Sequence, residues 1–260
     1  MSSIIFKFLK NIIIVTLVFS LQILLPFKKL LADDIYVGVA SNFLTPLNDL
    51  KKLFEKKNKV KIFISSGSSG GLYSQIVNGA PLDIFLSGDQ YLPQKLESTG
   101  IGIKGSRFTY ATGKLLLFST NNTFFREELP DILTNKDINY IGIGNPQYVP
   151  YGMAAKEVLH SLGLFNQLSP KLILSKNVNQ VFVMTFFGNL DLGFISKSDF
   201  VKKNQKGKVW EIPQNLYSPI EQDAILLKNG KKKENAKLFL QFLSSDQVKD
   251  KLKKFGYVFN

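Results

Sequence analysis

Residues 34–57 read DIYVGVASNFLTPLNDLKKLFEKK, and the change of pattern inside this stretch decides the fold. Asp34 to Ala40 is a β-type run, whereas Phe43 to Lys57 carries Leu44, Leu47, Leu50, Leu53 and Phe54 at helical spacing. Ser41-Asn42 stands at the junction. Small polar residues there fit a helix N-terminus, where backbone N–H groups lack partners and the helix dipole is positive. The same succession recurs three times. Ser68-Ser69-Gly70-Gly71 follows a predicted strand at Val60 to Ser65, Pro150-Tyr151-Gly152 one at Tyr140 to Ile143, and Asn177-Val178-Asn179 one at Leu172 to Ser175. Four such ends that converge would hold a small anion with no charged side chain.

The spacing predicts further strands at Asp83 to Leu86, Lys114 to Thr120, Leu192 to Ile195, Val209 to Ile212 and Asp223 to Leu227. It predicts helices at Gly71 to Gly79, Gln90 to Ser98, Gly152 to Leu162, Gln180 to Phe187, Glu234 to Leu243 and Asp246 to Lys254. Strand–helix alternation of this kind implies α/β architecture with parallel sheets covered on both faces. Two such blocks, with terminal helices long enough to return to the first, imply two lobes and a cleft. Lobe I is expected over residues 33–111 plus 218–260, and lobe II over 112–217. In open α/β sheets the binding crevice lies beyond the carboxyl ends of the strands. All four polar stretches fall there, two in each lobe, which predicts one shared site.

Composition narrows the class. With 45% hydrophobic and 20% charged residues in 260, the chain can bury a full core. Residues 1–32 differ from the rest: Lys7 and Lys10 precede the uncharged run Ile12 to Leu25, and Leu30-Leu31-Ala32 leads to Asp33-Asp34. That is the layout of a secretory signal peptide, although Leu30 is bulky for its place and Lys28-Lys29 follow the apolar run. An uncleaved anchor is the alternative. Cysteine is absent, so neither a disulfide nor a lipidated cysteine is available. A monomer of the bacterial periplasm is the expectation. The formal charge is +13, and removing the four lysines of the leader leaves about +9. The lysines scatter over helix faces or gather at Lys231-Lys232-Lys233 and Lys249 to Lys254, as on solvated surfaces, so nucleic acid is not the expected partner.

Catalytic motifs fail on inspection. Gly67-Ser68-Ser69-Gly70-Gly71 satisfies the G-x-S-x-G pattern of a nucleophile elbow, but the single histidine, His160, lies on the side or surface of a helix. An exported serine hydrolase built on Ser69 is therefore the weaker alternative. Gly100-Ile101-Gly102-Ile103-Lys104-Gly105 matches G-x-G-x-x-G, yet it follows a helix, whereas a dinucleotide site requires a strand before it. One histidine and no cysteine leave nothing for a metal centre. No cofactor is expected, and the reading is a binder, not an enzyme.

The polar stretches in their surroundings resemble the substrate-binding component of molybdate ABC transporters. The likeness runs through Val39-Ala40-Ser41-Asn42-Phe43, Ser65 to Gly70, Gln75 to Asp89, Gly105 to Ala111, Ile143-Gly144-Asn145-Pro146, Val149-Pro150-Tyr151-Gly152, Leu192-Gly193-Phe194 and Phe255-Gly256-Tyr257. It implies a type II periplasmic binding protein fold closing over one tetrahedral oxyanion, molybdate or tungstate, for delivery to a membrane permease and its ATPase. Carried over position by position, Ser41 and Asn42 match the first-loop ligands, Ser69 the second-loop serine, Tyr151 the residue after Val-Pro, and Val178 the backbone donor of the fourth loop. Some members use a tyrosine where this chain has Ser196, and Tyr151 would then supply that phenol from another loop. Another oxyanion, such as sulfate or thiosulfate, is the alternative ligand. Tyr73 and Tyr110 read as packing residues.

Overall fold

The computed structural model describes residues 34–126, 129–201 and 206–259. The segment read as an export leader, residues 1–32, lies outside them. In chain order the strands are β1 (Ile35–Ala40), β2 (Ile62–Gly67), β3 (Ile84–Leu86), β4 (Phe108–Gly113), β5 (Leu115–Ser119), β6 (Ile141–Gly144), β7 (Leu172–Ser175), β8 (Leu192–Ser196), β9 (Lys208–Glu211) and β10 (Ile220–Leu226). The α-helices are α1 (Leu44–Asn58), α2 (Ser69–Val77), α3 (Tyr91–Ser98), α4 (Asp131–Thr134), α5 (Pro150–Ser161), α6 (Phe165–Leu168), α7 (Val178–Phe186), α8 (Lys197–Phe200), α9 (Glu234–Leu243) and α10 (Asp246–Lys253).

The strands form two five-stranded sheets, β2-β1-β3-β10-β4 and β7-β6-β8-β5-β9, giving the two α/β halves that the alternation implied. The expectation of parallel sheets needs correction, because both are mixed. β1 lies parallel to β2 and β3, but β10 runs antiparallel to β3 and β4. In the second sheet β6 is parallel to β7 and β8, while β5 is antiparallel to β8 and β9. The exceptions are the strands by which the chain changes sheets: only Lys114 separates β4 from β5, and β10 brings the chain back. Apolar patterning reports burial and carries no strand direction. β4, with Thr109 and Thr112 breaking its apolar pattern, was not predicted as a strand.

Register sets the loops in place. Val39 and Ala40 pair with Ser66 and Gly67, so β1 and β2 end level and release Ser41 and Ser68 side by side. Gly144 pairs with Ser175, which does the same for the loops after β6 and β7. Each sheet is filled on both faces. Leu72, Ile76, Phe85, Leu96 and Ile225 form one layer of the first half, and Phe54 of α1 packs edge-on against Phe239 of α9 at 5.0 Å. In the second half Ile141, Ile143, Ala155, Val158 and Phe194 form one layer, and Phe118, Val181 and Ile195 another. Each such side chain contributes roughly 1.5–3 kcal/mol by leaving water. Phe43, fully buried, meets Tyr110 at 4.7 Å and Tyr257 at 5.6 Å, which ties the Ser41–Phe43 turn to the sheet beneath it.

Candidate functional site

Ser41, Asn42, Ser69, Tyr151 and Val178 all line one small, nearly closed cavity of about 10 Å³, together with Ala40, Gly67, Ser68, Val149 and Pro150. The five residues selected from sequence are thus brought together. Each arrives on a turn or helix that starts at the end of a strand: the Ser41–Phe43 3-10 turn after β1, α2 after β2, α5 after β6 and α7 after β7.

Capping leaves specific N–H groups over. In α2 the Ser68 hydroxyl accepts from Gly71 N–H at 3.2 Å, and Gly70 N–H donates across to the Tyr148 carbonyl at 3.0 Å. Ser69 N–H is left with no acceptor in its own helix. Asn177 caps α7 by accepting from Gln180 N–H at 2.9 Å, and Asn179 N–H faces the Ser41 hydroxyl at 3.5 Å; Val178 N–H is the remainder. α5 begins with Pro150, which has no N–H, and lacks a side-chain cap, so Tyr151 N–H is its free donor.

The hydroxyls follow one rule. Ser41 Oγ accepts from Asn179 N–H, Ser69 Oγ from Gly88 N–H at 2.9 Å, and the Tyr151 oxygen from Gln222 Nε2 at 3.2 Å. All three side chains are buried, and none of their own protons has an acceptor among the described residues. A hydroxyl engaged through its oxygen has a proton to give. Burial pushes the Tyr151 phenol well above its ordinary pKa, helped by nearby Tyr257 and Asp199 and opposed by the Gln222 hydrogen bond, so that proton is firmly held.

Asn42 contributes differently from a freely projecting amide. Both of its Nδ2 hydrogens go into the protein, to Gln222 Oε1 at 2.8 Å and the Tyr257 hydroxyl at 3.0 Å. Its side-chain hydrogens are therefore engaged away from the cavity. Ser196 does not line the cavity. Its hydroxyl caps α8, donates to Asp199 Oδ2 at 2.6 Å and meets Ser198 Oγ at 3.0 Å. Tyr110 is more than packing, since its hydroxyl lies 2.9 Å from Gln222 Oε1 and 3.0 Å from the Ser87 carbonyl. Burial raises its pKa well above that of a free phenol. Tyr73 is partly buried, with the Lys95 ammonium 5.4 Å from its ring centre. Gln222, Tyr257 and Ser198 were missed. They lie far from every polar stretch in sequence, and a glutamine inside a β-strand gives no local signal.

No charged side chain lines this cavity. The nearby buried carboxylates are occupied: Asp199 by Asn179 Nδ2 at 2.9 Å and by Ser196, Asp223 by Arg107 and Thr109. A larger hollow of about 400 Å³ lies between the halves, where Tyr91, Met153, Asp89, Glu157 and Glu221 line it. Three carboxylates make it unsuited to an anion. His160 is exposed and stacks on Phe165 at 4.3 Å, while Ser69 accepts only a backbone N–H. Ser69 therefore has no base to activate it. Among the described residues no helix is long and apolar enough to cross a membrane, and no three acidic, histidine or cysteine side chains cluster as metal ligands.

Residues 35–258 match the family described as bacterial extracellular solute-binding protein. The chain is 37% identical over 227 residues to the molybdate-binding protein ModA of Rhodobacter capsulatus, covering 87% of this chain and 89% of the relative. It is 38% identical over 228 residues to ModA of Azotobacter vinelandii, covering 87% and 90%. Among solved structures, the periplasmic molybdate-binding protein of Azotobacter vinelandii superposes with a TM-score of 0.84 at 37% identity, over 87% of this chain and 100% of that one. These relatives are binding proteins and not enzymes.

Proposed function

Because the chain belongs to the bacterial extracellular solute-binding proteins, beside molybdate-binding relatives, we propose that it captures molybdate in the periplasm. Tungstate, nearly the same ion in size and charge, is the second ligand. As a monomer the protein delivers either to the permease of an ATP-driven transporter. The carrying observation is the set of buried hydroxyls on Ser41, Ser69 and Tyr151. Each is engaged through its oxygen and has an unassigned proton, and the three residues line a cavity with no charged side chain.

The chemistry is replacement of hydration. A tetrahedral dianion entering the cavity gives up its water shell and receives the N–H groups of Asn42, Ser69, Tyr151 and Val178 and the three hydroxyl protons. Each charge-assisted bond is worth roughly 1.5–3 kcal/mol net, enough in sum to offset dehydration and leave tight binding. The helix ends at α2, α5 and α7 add positive potential without a counter-ion. Neutral donors also favour release, because separating the halves withdraws Tyr151 and Val178 together from Ser41, Asn42 and Ser69. Donors alone suit ions with no proton of their own, which disfavours phosphate. Molybdate exceeds sulfate in size, and a socket fitted to the larger ion holds the smaller one loosely.

The test is a thermal-shift and calorimetry panel of molybdate, tungstate, sulfate and phosphate on residues 33–260. Tight binding of the first two and weak or no response to the others is expected. A preference for sulfate or phosphate would replace this reading with another oxyanion.

A further inference from the structure

β1 and β2 present their carboxyl ends to the cavity, so their amino ends lie at the opposite edge of the first half. Register shows what gathers there. Ile35 pairs with Ile62, which places Lys59 and Lys61 at that edge. Antiparallel β10 pairs Leu226 with Ile84, which brings the 3-10 turn Lys228–Lys232 to the same edge. α1 starts beside the cavity and has 15 residues, about 22 Å of helix, so its last turn, with Lys56 and Lys57, also ends there. Lys56, Lys57, Lys59, Lys61, Lys231 and Lys232 are all exposed, and none of their ammonium groups has a hydrogen-bond or ion-pair partner among the described residues. The carboxylates nearby are already engaged. Glu55 accepts from Ile62 N–H at 2.7 Å and faces Lys51 at 3.8 Å, Asp34 accepts from Lys61 N–H at 3.1 Å, and Asp83 holds Lys233 at 2.9 Å.

An exposed aromatic pair stands among these lysines. Tyr36 and Phe63 face each other across β1 and β2, stack at 5.2 Å and remain 41% and 48% exposed. Lys61 precedes Phe63 by two residues and so shares its face of the sheet. The Lys233 ammonium lies 5.0 Å from the Tyr36 ring centre. The positive charge is not spread evenly over the half: α2 and α3 together contain one lysine, Lys95, and one carboxylate, Glu97. Rings at headgroup level with ammonium groups beside them are the chemistry of a bilayer interface. No arginine occurs in residues 34–63 or 228–233, and lysines act as point charges toward a surface, without the planar fork that grips one defined phosphate.

We propose that this end of the first half is a docking surface for a bilayer containing anionic phospholipid. Tyr36 and Phe63 rest among the headgroups and the six lysines face the phosphates. The pose turns the cavity away from the membrane, where it is open to loading from solution. Screening over about 8 Å at physiological salt keeps the attachment weak and reversible.

The experiment uses residues 33–260, which form one compact unit, and measures co-sedimentation with vesicles of equal parts phosphatidylglycerol and phosphatidylcholine, or of phosphatidylcholine alone. Duplex DNA is a separate arm. The wild type should bind the anionic vesicles at about 0.05 M salt, release them at about 0.5 M and ignore the neutral ones. Each lysine near such a surface raises partitioning roughly fivefold. Replacing Lys57, Lys61 and Lys232 together by Gln should therefore lower it roughly 100-fold, and Phe63→Thr roughly three- to tenfold. Replacing Lys95, Lys136 and Lys176 by Gln, which removes the same charge elsewhere, should lower it less than about threefold. Melting temperatures confirm that each variant is folded, and the lysine variants suffice if Phe63→Thr is not. No binding to anionic vesicles, equal binding to neutral ones, or equal losses in the two triple variants overturns the inference. Binding of DNA but not of vesicles also overturns it and assigns the face to nucleic acid. No oxyanion is present in these measurements, so their failure leaves the ligand reading untouched.

Discussion

Gly70→Ala tests whether the two halves must meet for binding. Gly70 is the second residue of α2 in the first half, and its N–H donates to the Tyr148 carbonyl of the second half at 3.0 Å. A Cβ built there lies 2.4 Å from Tyr148 Cβ, 3.0 Å from its Cα and 3.2 Å from its carbonyl oxygen. Carbon atoms pack at about 3.5–4.0 Å, so the halves must stay about 1 Å further apart at this point. Hydrogen bonds from Tyr151 and Val178 then stretch beyond useful range while those from Ser41, Asn42 and Ser69 persist. Two lost bonds to a charged ligand cost about 3–6 kcal/mol, or roughly 10²- to 10⁴-fold in affinity. The melting temperature without ligand checks that the variant is folded before its affinity is read. Calorimetry gives the affinity, and small-angle scattering should show molybdate compacting the wild type but not the variant. A dissociation constant within about threefold of wild type, from a normally folded variant, would refute the argument that closure through Gly70 and Tyr148 assembles the site.

Other substitutions and conditions give separate checks. Asn42→Asp removes the Nδ2 donors to Gln222 and Tyr257 and places a carboxylate in the cavity wall. Like charges about 4 Å apart repel by about 4 kcal/mol near a protein surface, so binding heat should fall below detection, and unchanged affinity would put the anion elsewhere. Ser69→Ala deletes one donor and the acceptor of Gly88 N–H, for a loss of roughly 10- to 100-fold by calorimetry; a loss under about twofold would remove Ser69 from the contacts. Burial raises the pKa of Tyr110, Tyr151 and Tyr257. A raised phenol pKa keeps the proton as pH rises, so the Tyr151 donor survives past the ordinary phenol range near 10. Molybdate affinity should accordingly be flat from about pH 6 to about pH 9, and a decline across the upper part of that range in calorimetry would show a donor ionising.

Sequence revealed the parts of the site that have local signatures. Ser41, Ser69 and Asn177 stand where a strand pattern turns into a helical one, and a helix start has an electrostatic meaning that survives without coordinates. The helix at Glu234–Leu243 and the strand at Leu172–Ser175 were read with their observed limits, because each has one strong period between clear breaks. Strand direction was not legible. β5 and β10 have the same apolar texture as their parallel neighbours, and only the crossing of the chain between sheets makes them antiparallel. The support behind the cavity was equally hidden. Asn42 meets Gln222 and Tyr257 across separations of 180 and 215 residues, and nothing near any of the three announces the others. Ser196, which stands where the resemblance implies a tyrosine in some members, caps α8, which is the ordinary use of a serine at such a place.

The central claim is that uncharged donors from both halves surround one tetrahedral ion. Its most direct test is a crystal structure grown with molybdate, in which anomalous scattering at the molybdenum edge locates the metal. The account predicts one peak in the cavity of Ser41, Asn42, Ser69, Tyr151 and Val178, with the oxo groups accepting only from N–H and O–H groups of those residues. A peak in the outer groove beside Glu157 and Glu221, or an oxo group held by a lysine or arginine, would contradict it.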